Sequence, residues 1–197
     1  MAASIRDFYR CSVCDLIFVP PQQFLPDEEE KAYYDFHQNN PQDSGYRRFL
    51  GKLQEPMLTF LKADDVGLDF GSGPGPTLSV MFQELGYDMD IYDVIYARDD
   101  SIFEKTYDFI TTTETVEHFR YPHTSFLAIW NLLKQGGFLG IMTEIFDDKM
   151  DFSQWHYKND PTHICFYSRL TMEWLVDMLQ ADPMYEKNNI TILKKKY

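Results

Sequence analysis

The chain has 197 residues, 44% of them hydrophobic and 16% aromatic, and a formal net charge of -13. That length and apolar content suit one domain with a packed core, and the aromatics argue against disorder. The acidic balance lacks the Lys and Arg that neutralise phosphates, which counts against nucleic acid as the main partner, and the longest apolar runs, such as Phe138 to Met142, are too short to span a bilayer.

The first 45 residues differ from the rest. They carry Cys11-x-x-Cys14, a Pro20-Pro21 break, the acidic run Asp27 to Glu30 and the polar stretch "HQNNPQDSG". This composition predicts a solvated N-terminal arm, with the acidic run opening a short helix, because carboxylates favour a helix N-terminus. The Cys pair supplies two of the four ligands that a structural zinc takes. No second pair is present, so no metal is expected unless two chains share one. Three cysteines, an odd number, do not suggest a disulfide scaffold. The N-terminus has charges where a secretory signal would be apolar. We therefore expect a reduced, cytoplasmic protein.

From about Gly45 the pattern becomes regular. Arg47 to Leu61 reads as a helix interrupted near Pro56. Three stripes follow at i, i+3, i+4, i+7: Leu78, Met81, Phe82, Leu85; Phe126, Ile129, Trp130, Leu133; and Met172, Leu175, Val176, Leu179. Each stripe must pack against something. Between them lie apolar runs of strand length at 66–70, 89–95, 107–113, 137–143 and 189–195. Gly86 and Gly136-Gly137 are placed to end the first two helices as left-handed caps. Strands alternating with amphipathic helices predict an α/β fold with a mostly parallel sheet covered on both faces.

The turn "GSGPG", Gly71 to Gly75, follows the first of these strands and opens a helix. Open parallel sheets bind ligands at this end of their strands. The dinucleotide fingerprint wants a third glycine where this chain has Pro76, and the P-loop wants a Lys that is absent. Asp93 lies at the end of the next strand, where a carboxylate can accept ribose hydroxyls.

With "GLDFGSGPGP", Asp93 after "GYDMDIY", "YDFITTTETVEHF" and "LLKQGGFLGIMTE", the chain resembles the class I S-adenosylmethionine-dependent methyltransferases, in particular an uncharacterised bacterial subgroup related to ubiquinone-biosynthesis methylases. The resemblance implies a Rossmann-like, seven-stranded sheet with an antiparallel last strand, in a methyltransferase domain over residues 46–197 that follows the arm of residues 1–45. It implies S-adenosylmethionine contacts from Asp69, Gly71, Ser72, Gly73, Gly75, Thr113 and Glu114, with Asp93 on the ribose. Little room remains between Asp93 and Tyr107 for a third strand, and Asp99 and Asp100 are the candidates for the adenine side.

Methyl transfer from a sulfonium needs positioning above all, and a base only if the acceptor must lose a proton. Two clusters could supply one. The first is Glu114, Glu117 and His118. The second is Trp155, His156, Tyr157, Asp160, His163 and Tyr167, in which Asp160 and His163 could equally satisfy one another or the backbone. His163 ranks ahead of His118. The expected activity is methylation of a small-molecule acceptor; the other reading is a non-catalytic module that binds the same cofactor. The aromatic segment Tyr33, Tyr34, His37 and Tyr46 is expected to cover the cofactor or acceptor pocket.

Overall fold

A computed structural model describes residues 6–36 and 39–197. His37, one residue of the expected cover, lies outside the described residues. The chain opens with a hairpin of β1 (Tyr9–Arg10) and β2 (Ile17–Phe18), followed by α1 (Asp27–Tyr34) and α2 (Ser44–Leu58). Four acidic residues fill the first turn of α1, as its position in the acidic run predicts. Asp43 caps α2 by accepting from the main-chain N–H groups of Gly45 and Tyr46.

The alternating region then gives β3 (Val66–Phe70), α3 (Thr77–Gln83), β4 (Asp88–Tyr92), β5 (Tyr107–Thr113), α4 (Pro122–Leu132), β6 (Leu133–Met142), β7 (Ile145–Phe146), β8 (Cys165–Ser168), α5 (Arg169–Leu179), β9 (Asp182–Lys187) and β10 (Ile190–Lys194). The main sheet has the order β4-β3-β5-β6-β10-β9. Its first four strands are parallel, and β10 is antiparallel to both neighbours. Successive residues of its strands point to opposite faces. Phe109 and Ile192 pack with α2 and α3, through Leu53, Met57, Leu78 and Phe82. Ile110 and Leu193 pack with α4 and α5, through Phe126, Ile129, Met172 and Leu175. Both faces are therefore covered, and the apolar strand runs follow from that.

Several expectations are corrected. The main sheet has six strands among the described residues, not seven. Residues 94–106 hold a 3-10 turn, Asp100–Glu104, and a single bridge between Asp93 and Ala97 in place of a third strand. The edge strand β9 went unread because its sequence, "DPMYEK", is polar and exposed. Gly86 does end its helix in the left-handed region, at φ +95°, but Leu85 lies past the last turn and is exposed. Gly136, at φ +79°, caps nothing: α4 runs directly into β6, and Gly136 bulges that strand while donating its N–H to the Lys195 carbonyl.

The N-terminal arm is not a free tail: most of its residues keep some exposure, but it is packed onto the rest of the chain. β2 pairs antiparallel with β8, and β8 pairs with β7, so that a second sheet runs β1-β2-β8-β7. Leu16, Ile17 and Val19 are buried there. Arg6 donates to the carbonyls of Asp160, Pro161 and His163 at 2.8, 3.1 and 2.8 Å, and also to that of Lys158. The chain's first described residue thereby holds the loop that carries His163.

Candidate active site

A cavity of about 970 Å³ opens at the C-terminal ends of β3, β4 and β5. Asp69, Gly71, Ser72, Gly73, Gly75, Asp93, Thr113, Glu114, His118 and His163 all line it. The sequence placed these residues in separate motifs; the parallel strands end together and bring them to one place.

The glycine turn is tied to the end of β4. The N–H groups of Gly71 and Ser72 donate to the Tyr92 carbonyl at 2.7 and 3.1 Å. Gly71 has φ +81°, and a Cβ there would come within 2.1 Å of the Thr115 side chain. A Cβ on Gly75 would come within 1.9 Å of the Asn39 carbonyl oxygen. These glycines are thus required first by the protein's own close packing. The Ser72 hydroxyl is buried without a hydrogen-bond partner, a donor free for a ligand.

Asp93 performs a second task that the sequence did not reveal. One carboxylate oxygen accepts from the Ile95 and Tyr96 N–H groups at 2.8 and 3.0 Å, and the other from Gly73 at 2.9 Å. It locks the glycine turn to the turn after β4 and retains acceptor capacity toward the cavity. Asp99 and Asp100 do not line the cavity: Asp99 accepts from the Ser101 N–H, and Asp100 pairs with Arg98. Val94, Ile95, Tyr96 and Arg98 form that wall instead.

Past β5 the chain turns sharply, with Glu114 in the left-handed region at φ +46°. Its neighbour Glu117 is wholly buried. Thr143 donates to one Glu117 oxygen at 2.9 Å and the Tyr157 hydroxyl to the other at 2.5 Å. The same Tyr157 hydroxyl lies 3.2 Å from Glu114. One hydroxyl hydrogen cannot serve both carboxylates. Burial, and then the proximity of Glu117, push the Glu114 carboxyl up to about 9, so it carries a proton at neutral pH.

The two histidines, far apart in sequence, meet with ring centroids 4.9 Å apart. His163 is 8% exposed, and burial, followed by the nearby His118, lowers its pKa. Asp160 and His163 do not bond to each other. Asp160 accepts from the Thr162 N–H and His163 Nδ1 from its own side faces the Tyr157 carbonyl, with 3.8 Å between Asp160 Oδ2 and His163 Nε2. The rest of that cluster divides: Trp155 packs among Phe146, Phe152 and Phe166, His156 is exposed, and Tyr167 donates to the Val116 carbonyl.

The far wall comes from the N-terminal segment. Glu30, Lys31 and Tyr34 of α1, Asn39, and Tyr46 of α2 line the cavity. Tyr34 and Tyr46 were expected there, and Asn39 lies in the same expected segment, its main chain and side chain both against the glycine turn; Tyr33, expected with them, does not line the cavity. Cys11 and Cys14 are free thiols at the β1–β2 turn, away from the cavity. No described helix is long and apolar enough to cross a membrane.

The fold has many solved relatives. The 1,6-didemethyltoxoflavin-N1-methyltransferase of Burkholderia thailandensis, solved with 1,6-didemethyltoxoflavin and S-adenosylhomocysteine, is 14% identical with a TM-score of 0.58, over 97% of this chain and 100% of that one. An S-adenosylmethionine-dependent methyltransferase of Archaeoglobus fulgidus is 16% identical with a TM-score of 0.57, over 76% of this chain and 94% of that one. At such identity the likeness establishes the Rossmann-like α/β fold. No curated protein matches the sequence. A family model described as a methyltransferase domain matches residues 42–181, which takes in every strand and helix from α2 to α5, and the chain belongs to that family.

Proposed function

We propose that this chain transfers a methyl group from S-adenosylmethionine to a small molecule. The observation that carries the reading is the single cavity that gathers the glycine turn, Asp93, Glu114 and both histidines. The residues fit the cofactor: a glycine-rich turn at the cavity wall, a buried unpartnered Ser72 hydroxyl, and the carboxylates Asp69 and Asp93 facing one space. Bound there, the cofactor supplies an electrophilic methyl on a positively charged sulfur.

Asp69, Gly71, Ser72 and Gly73 hold the amino-acid end, and Asp93 accepts from the ribose. Thr113 and Glu114 border the reacting end. His163 and His118 are the groups able to take a proton from the acceptor, each having one ring nitrogen not engaged by the backbone. Tyr34, Asn39 and Tyr46 close the far side and exclude water. The acidic surface favours a small acceptor over nucleic acid, and the free thiols of Cys11, Cys14 and Cys165 suit the cytoplasm. The first 45 residues act as part of this unit, serving as its cover.

Calorimetry with S-adenosylhomocysteine tests the cofactor, and demethylated cofactor released with a metabolite panel tests turnover. The expected result is tight binding, loss of binding in Gly71→Val, and release with at least one acceptor. Undiminished affinity in a folded Gly71→Val protein would reject the assigned cradle. Binding without turnover on a broad panel would favour the binding-only module.

A further inference from the structure

Glu117, His118 and His163 form a cluster whose donor atoms all lie within 4.8 Å of one another. Its geometry is more organised than a packed pair of rings requires. His118 Nδ1 is 2.9 Å from the Thr162 carbonyl, and His163 Nδ1 is 2.8 Å from the Tyr157 carbonyl. A carbonyl oxygen only accepts, so each Nδ1 carries its hydrogen and each Nε2 keeps a lone pair. Fixing the tautomer through a main-chain carbonyl is how metal-binding imidazoles are commonly oriented.

The third member supplies the charge. Glu117 has no exposed surface, and its two oxygens rest on the hydroxyls of Thr143 and Tyr157. Among the described residues no Lys or Arg pairs with it; the nearest group able to carry positive charge is His118, with Nε2 3.9 Å from Oε1. Ligands held about 2.1 Å from a tetrahedral ion stand roughly 3.4 Å apart, so a contraction of about half an ångström would close this pair on an ion.

We propose that Glu117, His118 and His163 bind a divalent first-row metal ion whose open coordination positions face the cavity and take an oxygen donor of the methyl acceptor. Two imidazoles and a carboxylate suit zinc, cobalt, manganese or iron(II). A lone pair on Nε2 serves a proton or a cation, not both, so this assignment makes the two histidines ligands rather than bases. The acceptor half rests on the methyltransferase reading; the ion half does not.

Full-length protein, stripped with a chelator, would be titrated with Co²⁺ and followed by visible absorption. The expected result is one equivalent bound with ligand-field bands, displaced by Zn²⁺. His163→Ala and His118→Ala should weaken binding at least tenfold and abolish the bands, whereas Cys11→Ser with Cys14→Ser should leave them unchanged. Acetohydroxamate, a bidentate oxygen donor, should shift the bands. No stoichiometric binding by the wild type, or binding that follows the cysteines and not the histidines, overturns the ion site. Bands indifferent to acetohydroxamate overturn the acceptor half. Circular dichroism confirms that the variants are folded, and S-adenosylhomocysteine calorimetry is run on the same samples. The calorimetry separates the two ideas: cofactor binding without cobalt bands rejects the ion alone, and cobalt bands without cofactor binding reject the methyltransferase reading alone.

Discussion

Asp69 is the penultimate residue of β3 with 2% of its surface exposed, yet it lines the cavity. Burial outweighs the hydrogen bonds from Thr111 and the Ser79 main chain and pushes its pKa up to about 7. A carboxyl raised in the folded state favours folding at low pH, and that contribution is lost as pH rises from the unfolded value of 3.8 toward 7. On the proposed placement, the ammonium of the cofactor's amino-acid end meets Asp69 and reverses the preference, because it needs the ionised form. Affinity for S-adenosylhomocysteine should therefore rise by up to about tenfold per pH unit below 7 and then level off. Asp69→Asn should bind more weakly with a flat profile between pH 5.5 and 7.5. Equal slopes for the two proteins by calorimetry would remove Asp69 from the binding site. At this scale the sequence picked out residues that prove to line one cavity and was silent about how each is held there. The glycines were legible as a turn, but their collisions with Thr115 and Asn39 depend on long-range packing. Asp93 was legible as a carboxylate at the end of its strand, but not as the brace of the glycine turn.

Among the elements, each continuous apolar run does contain a strand, and β3 and β5 match residue for residue, whereas β4 stops at Tyr92 and β6 begins at Leu133, which the spacing makes the last residue of a helical stripe. Burial on both faces forces such runs, so they leave a strong signal. The two-residue strands β1, β2 and β7 are too short for any period to register. The missing third strand was anticipated from spacing alone. Helix α1 illustrates the other limit: its acidic start predicted a helix, and only packing shows that it forms a wall of the cavity. It is tied near the surface at both ends, the Tyr96 hydroxyl donating to Asp35 just past its C-terminus at 2.7 Å and Arg120 pairing with Asp27 and Glu30 of its first turn. Exposed ties of this kind are worth little each, so the wall can open. Bound S-adenosylhomocysteine should slow hydrogen exchange across α1 and residues 39–46 along with the glycine turn. Protection of the turn alone would show that α1 does not cover the ligand.

The whole molecule couples its two sheets through the N-terminal segment. Leu16, Ile17 and Val19 share one core with Ile110, Leu139 and Met172. Trp155, which reports on this junction, packs on Phe166 of β8. The segment and the methyltransferase unit should therefore unfold together, with Trp fluorescence and far-ultraviolet circular dichroism tracing one transition. Arg6→Ala, which removes charge-assisted bonds to several carbonyls, should lower stability by about 2 kcal/mol without splitting that transition. Two separate transitions would mark the segment as an independent module. The pairing of Ile17 with Phe166 also bears on how the protein is made. The ribosome releases the hairpin long before it reaches β8, and at about 5–20 residues per second the wait is on the order of ten seconds. Throughout that interval three apolar side chains have no place to go, and they invite chaperones. A nascent chain that stops short of Cys165 leaves the hairpin permanently unmatched. Incomplete synthesis therefore marks its own product for disposal, rather than yielding a half-built enzyme that could hold cofactor to no purpose.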